Sequence, residues 1–335
     1  MSPYSNTSPP SYVDPVNTPS LAPSSVIPVN IDNQIPDLRL LHHYTTVTVQ
    51  TLTSDPRAQE GWRLYMVKIA FEHPFLLHGI LSLAALHLSR IDQAKTSEYL
   101  AQAVQNHDSA LDRFRTDVQD VDLSNFQAVL CYSTITFPYY YGLPVDERSG
   151  PEYIWNMEIQ HLSLIRGIRP IIGPFWETMC DSELGQLMPK DVVGLDFERT
   201  MEKTELVHLR QFPEITANLH SQEITDSYRE SIRTLEVVFS IFPLGPTMAS
   251  FSALKLWPHQ ISSQFMDLLT QRQPGALVIF AHYAVLLARS ERYWFMEGTS
   301  DRILRTVEAL LDDKWKTWLD WPKAELRRCN NYAGA

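Results

Sequence analysis

Residues 274–322 read PGALVIFAHYAVLLARSERYWFMEGTSDRILRTVEALLDDKWKTWLDWP, and this stretch decides the fold class. Pro274 suits the first turn of a helix, where its missing N–H would have had no partner, and Gly298 supplies the left-handed geometry that ends one. Thr299 or Ser300 can cap the helix that follows. In that second helix Leu304, Val307, Leu311, Trp315 and Trp318 recur at three- and four-residue spacing and so share a face. The pattern predicts a buried helical hairpin.

Working outward, apolar helical periodicity continues through most of the chain, and no alternating strand pattern or fixed-period repeat interrupts it. LRLLHHYTTVTVQTL (38–52) reads as a helix with Leu38, Leu41, Thr45, Thr48 and Leu52 on one face, despite a β-favouring Val-Thr-Val run. Helices are also expected over 61–71, over 74–90 behind Pro74, over 95–118, from a cap at Asp122 or Ser124 to Pro138, over 151–172, 221–241 and 260–271. Residues 173–220 read as short helices and loops. The expectation is all-α: a single large multi-helix domain over 37–322 with an apolar interior pocket. A Pro/Ser-rich segment, 1–36, reads as a disordered linker before it, and 323–335 as a C-terminal tail.

Composition narrows the function classes. The 335 residues are 44% hydrophobic and carry 28 Lys plus Arg against 39 Asp plus Glu, a net charge of −11. That balance, without a basic cluster, argues against direct nucleic-acid binding, which needs concentrated positive charge. Cys131, Cys180 and Cys329 are too few and too scattered for a disulfide framework or a cysteine metal site. No secretory or transit signal is legible at the N-terminus. The longest apolar runs, 75–88 and 275–288, span about 14 residues against the roughly 20 needed to cross a bilayer. They read as core helices.

Motifs for chemistry are sparse. There is no HExxH, and His78 and His87 lie about 13.5 Å apart along a helix, too far to grip one ion. His42 and His43 point about 100° apart. Asp312-Asp313 lacks the repeated carboxylates of a magnesium-diphosphate site, and no GxSxG, GxxxxGK[ST] or GxGxxG occurs in context. No metal or cofactor is expected. Cys131 reads as a small buried hydrophobe rather than a nucleophile. What remains is aromatic density, which marks either core or an apolar pocket wall. Phe137, Tyr140, Trp155, Phe280, Tyr283, Leu287 and Trp294 are the candidate ligand-binding residues.

Two signatures, LRLLHHYTTVTVQTL with Trp62 and AFEHPFLLHGILSLAALHLSR (70–90), then GALVIFAHYAVLL, YWFMEG and WKTWLDWP, together resemble the C-terminal regulatory region of fungal sterol-uptake-control transcription factors. These form a branch of the zinc binuclear-cluster regulators. The resemblance spans about 38–322 and implies an all-helical ligand-binding and dimerising domain that senses a sterol or similar hydrophobic molecule. It implies a homodimer or a heterodimer with a full-length regulator, in the nucleus or cytoplasm. The family's zinc cluster needs six cysteines in a compact N-terminal run, whereas the first cysteine here is Cys131; a truncated regulator, an excised domain and a cluster-less relative are all compatible. Two other readings stand beside it. One is a pocket recruited as a cyclase or isomerase, with His282 or His78 as acid or base; the other is a dimerisation partner that titrates full-length relatives.

Overall fold

The computed structural model describes residues 34–146, 148–186, 192, 194–242 and 249–333. Apart from its last three residues, the Pro/Ser-rich segment expected as a linker lies outside them, as does Pro243-Leu244-Gly245-Pro246, whose Pro and Gly predict a break between helices. The described residues are helical with no strand, which is the fold class the periodicity predicts.

Helix α1 (35–52) contains a π turn at Tyr44–Thr48, where the Val49 N–H reaches back to the Tyr44 carbonyl. Within it Thr45 and Thr46 donate their hydroxyls to the Leu41 and His42 carbonyls at 3.1 and 2.7 Å. The extra residue turns the buried face. Leu40, Tyr44, Thr48, Val49 and Leu52 point inward, whereas Leu38, expected on that face, is 58% exposed. Helix α2 (56–72) has a second π turn, Gly61–Tyr65.

Helix α3 (Pro74–Ile91) is long and apolar enough to cross a membrane, yet Leu76, Ile80, Leu83 and Leu86 are fully buried. It lies along α4 (Thr96–Asp117) and against α5 (Phe126–Gly142). Gly79 permits the second contact, because a Cβ there would come within 2.8 Å of Ile135 and 2.9 Å of Tyr132. Helix α5 does not stop at Pro138; it runs on to Gly142. The ring costs one helical hydrogen bond, to the Thr134 carbonyl, and the aromatic packing of Phe137, Tyr139 and Tyr141 keeps the last turn in place. Helix α6 (Pro151–Ile172) returns along α5, followed by short helices such as Trp176–Asp181, Val207–Arg210 and Phe212–Thr216.

Helices α7 (Gln222–Phe239) and α8 (Ser263–Thr270) are capped by Ser221 and Ser262, whose side chains accept from the Ile224 and Phe265 N–H groups. Between them stand two short helices, Phe251–Leu254 and Leu256–Gln260. The centre is α9 (Pro274–Ala288), in which every residue from Gly275 to Ala288 is buried. It contacts α7, α8, α10 (Thr299–Leu310) and α11 (Asp320–Ala333). The hairpin is present in modified form. Gly298 has φ +70° immediately before α10, but α9 is followed first by a turn at Trp294–Met296. Helix α10 ends at Leu310, and a separate short helix, Asp313–Lys316, carries Trp315. Residues 323–333, expected to begin a tail, continue a helix. Pro322 sits in the first turn of α11, a position that opens a helix, and Leu326 and Cys329 are buried.

Candidate functional site

Between α5 and α6 lies an apolar cavity of about 720 Å³, closed on one side by Leu111 and Phe114 of α4. Helix α5 contributes Val129, Ser133, Thr136, Phe137 and Tyr140, and α6 contributes the stripe Gln160, Ser163, Leu164, Gly167, Ile168 and Ile171. The α6 residues follow three- and four-residue spacing, so one helical face supplies that wall. Leu164 and Ile171 are 52% and 40% exposed at the mouth. The cavity is therefore a groove, not a sealed void. From Leu130 to Tyr141 it follows α5 for about 16 Å at the helical rise of 1.5 Å per residue.

One end of the groove is polar. The Tyr141 hydroxyl donates to Glu158 Oε2 at 3.4 Å, and His161 Nδ1 lies 3.8 Å from the same oxygen. Arg302 of α10 places Nη2 3.7 Å from Glu158 Oε1. Glu158 is fully buried, and His161 Nδ1 is buried without a hydrogen-bond partner. Burial, then the Glu158 charge, pushes the Tyr141 hydroxyl well above the usual tyrosine range, so it stays a neutral donor. Beside it Tyr140 pairs through its hydroxyl with His107 Nε2 at 3.1 Å, and burial pulls His107 down to about 4.

At the other end Lys255 and His259 line both this groove and a smaller cavity of about 240 Å³. Lys255 is drawn down to about 8 by burial, and His259 to about 3 by burial and then by the Lys255, Arg169 and Arg166 charges. The smaller cavity also includes Cys131, whose thiol burial raises to about 12. Such a thiol is protonated and inert at neutral pH.

The structure gathers only two of the seven candidate residues at the groove, Phe137 and Tyr140. Trp155, Phe280, Tyr283 and Leu287 stand in closed packing with their polar atoms satisfied. Trp155 Nε1 donates to the Leu269 carbonyl at 3.1 Å, with its ring edge-on to Phe280. The Tyr283 hydroxyl donates to the Leu254 carbonyl at 2.8 Å while its ring stacks on Trp257. Leu287 is fully buried. Trp294 stacks on His87 and donates to Thr51 Oγ1 at 3.0 Å. His282 and His78 also lie away from the groove: His282 Nδ1 donates to the Val278 carbonyl, and His78 pairs with Asn106. Among the described residues no group of three or more His, Cys, Asp or Glu could hold a metal ion.

Sequence reading missed the outer stripe of α6 and the basic end. Leu164, Ile168 and Ile171 around Gly167 form a second apolar face on a helix whose first face is already buried through Trp155, Leu162 and Ile165. A helix apolar on two sides was the available signal. Lys255 inside the apolar run FSALKLWP was the other.

An all-helical body with an apolar groove defines the class of structure, and residues 39–136 match the family model described as the fungal specific transcription factor domain. That match covers the α4 and α5 walls of the groove up to Thr136. Over most of its length the chain is similar to Sterol uptake control protein 2 of Saccharomyces cerevisiae, at 25% identity across 81% of this chain and 30% of that protein. It is likewise similar to Sterol uptake control protein 2 of Candida albicans, at 25% identity across 87% of this chain and 44% of the relative. A Zn(2)-C6 fungal-type transcription factor of Gibberella zeae is 22% identical across 91% of this chain and 64% of its own length. The chain thus spans less than two thirds of each.

Proposed function

We propose that this chain is the ligand-responsive regulatory part of a fungal transcription regulator, and that a hydrophobic molecule of sterol type docks in the α5–α6 groove. The observation that carries this reading is the groove itself: about 720 Å³, apolar along its walls, with the Tyr141–Glu158–His161 cluster at one end. An apolar ligand gains roughly 0.8 kcal/mol per buried CH2 there, while one hydroxyl can meet the unpartnered His161 Nδ1. The names of the relatives, two of them sterol uptake control proteins and one a Zn(2)-C6 transcription factor, support the same reading.

The groove also has a route to the rest of the fold. Glu158 joins α6 to Arg302 on α10, so a ligand that draws on His161 or Tyr141 alters a contact between the groove wall and the C-terminal helices. Ligand binding then shifts an equilibrium between two packings of those helices. Action in the nucleus, and dimerisation with a second copy or with a longer regulator, complete the proposal.

Native mass spectrometry with sterols and a fungal lipid extract tests it, using Gly167→Leu as the control. Gly167 lines the groove, and a Cβ there meets nothing within 4 Å. Leucine at that position fills the groove and removes a mid-helix glycine that costs roughly 0.5–1 kcal/mol. The expected result is a retained lipid in the parent and its loss in a variant at least as stable. Retention of no lipid by the parent sinks the reading; equal retention by Gly167→Leu moves the site elsewhere.

A further inference from the structure

Lys255 is out of keeping with its surroundings. It stands between Phe251–Leu254 and Leu256–Gln260, and its side chain lies where the groove meets the smaller cavity. Among the described residues its ammonium has no carboxylate partner, and it lies over the face of Phe251, 5.4 Å away. One turn on, where the His259 N–H donates to the Lys255 carbonyl at 3.0 Å, His259 lines the same junction with Nδ1 buried and unpartnered. Arg166 and Arg169 lie behind it, bonded to the Pro258 and His259 carbonyls at 3.2 and 2.8 Å. In a chain of net charge −11, this is a basic corner facing two apolar spaces.

A lone ammonium facing an apolar cavity is costly unless an anion meets it. We propose that the occupant of the groove is an amphipathic acid, its hydrocarbon body along α5 and α6 and its carboxylate on the Lys255 ammonium, with His259 Nδ1 beside it. The inference rests on the reading of the groove as a hydrophobic-ligand site and adds the charge of the ligand. A carboxylate fits better than a phosphate. One negative charge matches the single ammonium that faces the groove, because Arg166 and Arg169 are already bonded to backbone carbonyls, whereas a dianion would leave one charge unmatched. The amine, held near 8, is still protonated at neutral pH and ready to pair.

The test compares oleic acid with oleyl alcohol, matched in chain and differing in head group, by isothermal titration on the parent, Lys255→Met and Lys255→Arg. A charge-assisted contact predicts that the parent binds the acid about tenfold more tightly than the alcohol. Lys255→Met should lose that preference while keeping the alcohol, which also reports that it is folded, and Lys255→Arg should retain it. Equal binding of acid and alcohol by the parent, or a preference that survives in Lys255→Met, overturns the charge inference and leaves the hydrophobic-ligand reading standing. Binding of neither molecule overturns the acid inference, and the sterol reading then stands or falls on the mass-spectrometric test.

Discussion

Glu158 is the residue on which the polar end of the groove turns. It is fully buried on α6, and the cation nearest it is Arg302, with side chain 15% exposed. Removing one member of such a pair leaves a buried charge uncompensated, which typically costs about 3–5 kcal/mol, whereas replacing both can be nearly neutral. Arg302→Met should therefore lower unfolding free energy by about 3–5 kcal/mol in urea titration. Arg302→Met combined with Glu158→Met should recover more than half of that loss. An additive double variant would mean that the 3.7 Å pair is not coupled. The Tyr141 hydroxyl gives a finer check. With Glu158 gone it has no acceptor, so full recovery is not expected.

At the scale of elements, α11 departs most from what periodicity predicts. Pro322 follows Trp321 like a stop, yet it falls at the third residue of a helix that runs to Ala333. This helix packs against α9 and buries Leu326 and Cys329, and Glu325 reaches Arg289 at 3.6 Å. A chain ending at Pro322 should lose about 1.5–3 kcal/mol, the burial of one leucine, since Arg289 keeps its pair with Glu205 at 3.0 Å, and should unfold at lower temperature in calorimetry. A truncated chain as stable as the parent would make α11 dispensable. The same helix explains what the sequence made legible. Period and Pro/Gly punctuation located α3, α6, α7 and α9, because a helix apolar on one or all sides has a single packing solution. They could not locate the groove, because a residue such as Tyr283 has the same spacing whether its ring meets Trp257 or empty space. Nor could they show that α1 would carry a π turn at Tyr44–Thr48 and leave Leu38 exposed.

The whole molecule carries an acid sensitivity that no single element reveals. His282 is fully buried; its Nδ1–H donates to the Val278 carbonyl at 2.8 Å, so its Nε2 accepts from His208 Nε2 at 2.9 Å, and both rings are neutral. Burial draws His282 and His259 down to about 3, and His87 and His107 to about 4. In the unfolded chain each ring takes up a proton near pH ~6.5, so between about pH 6.5 and 4 the unfolded state binds more protons than the folded one. Stability is then full above about pH 6.5 and falls as the pH drops. Glu236 and Glu291, both raised by burial, act in the opposite direction as the pH falls through their raised values, and two carboxyls do not offset four imidazoles. Between about pH 6.5 and 4.5 the His282 contribution alone is about 2–3 kcal/mol, because each tenfold difference in proton affinity between the folded and unfolded chain is worth about 1.36 kcal/mol. His282→Phe keeps a flat ring against Trp321, on which the imidazole stacks at 5.4 Å, and removes the titration. Urea unfolding at a series of pH values should therefore give a shallower slope for His282→Phe than for the parent between about pH 4.5 and 6.5. Parallel slopes would mean that His282 is protonated in the folded protein, against its burial and its donated bond.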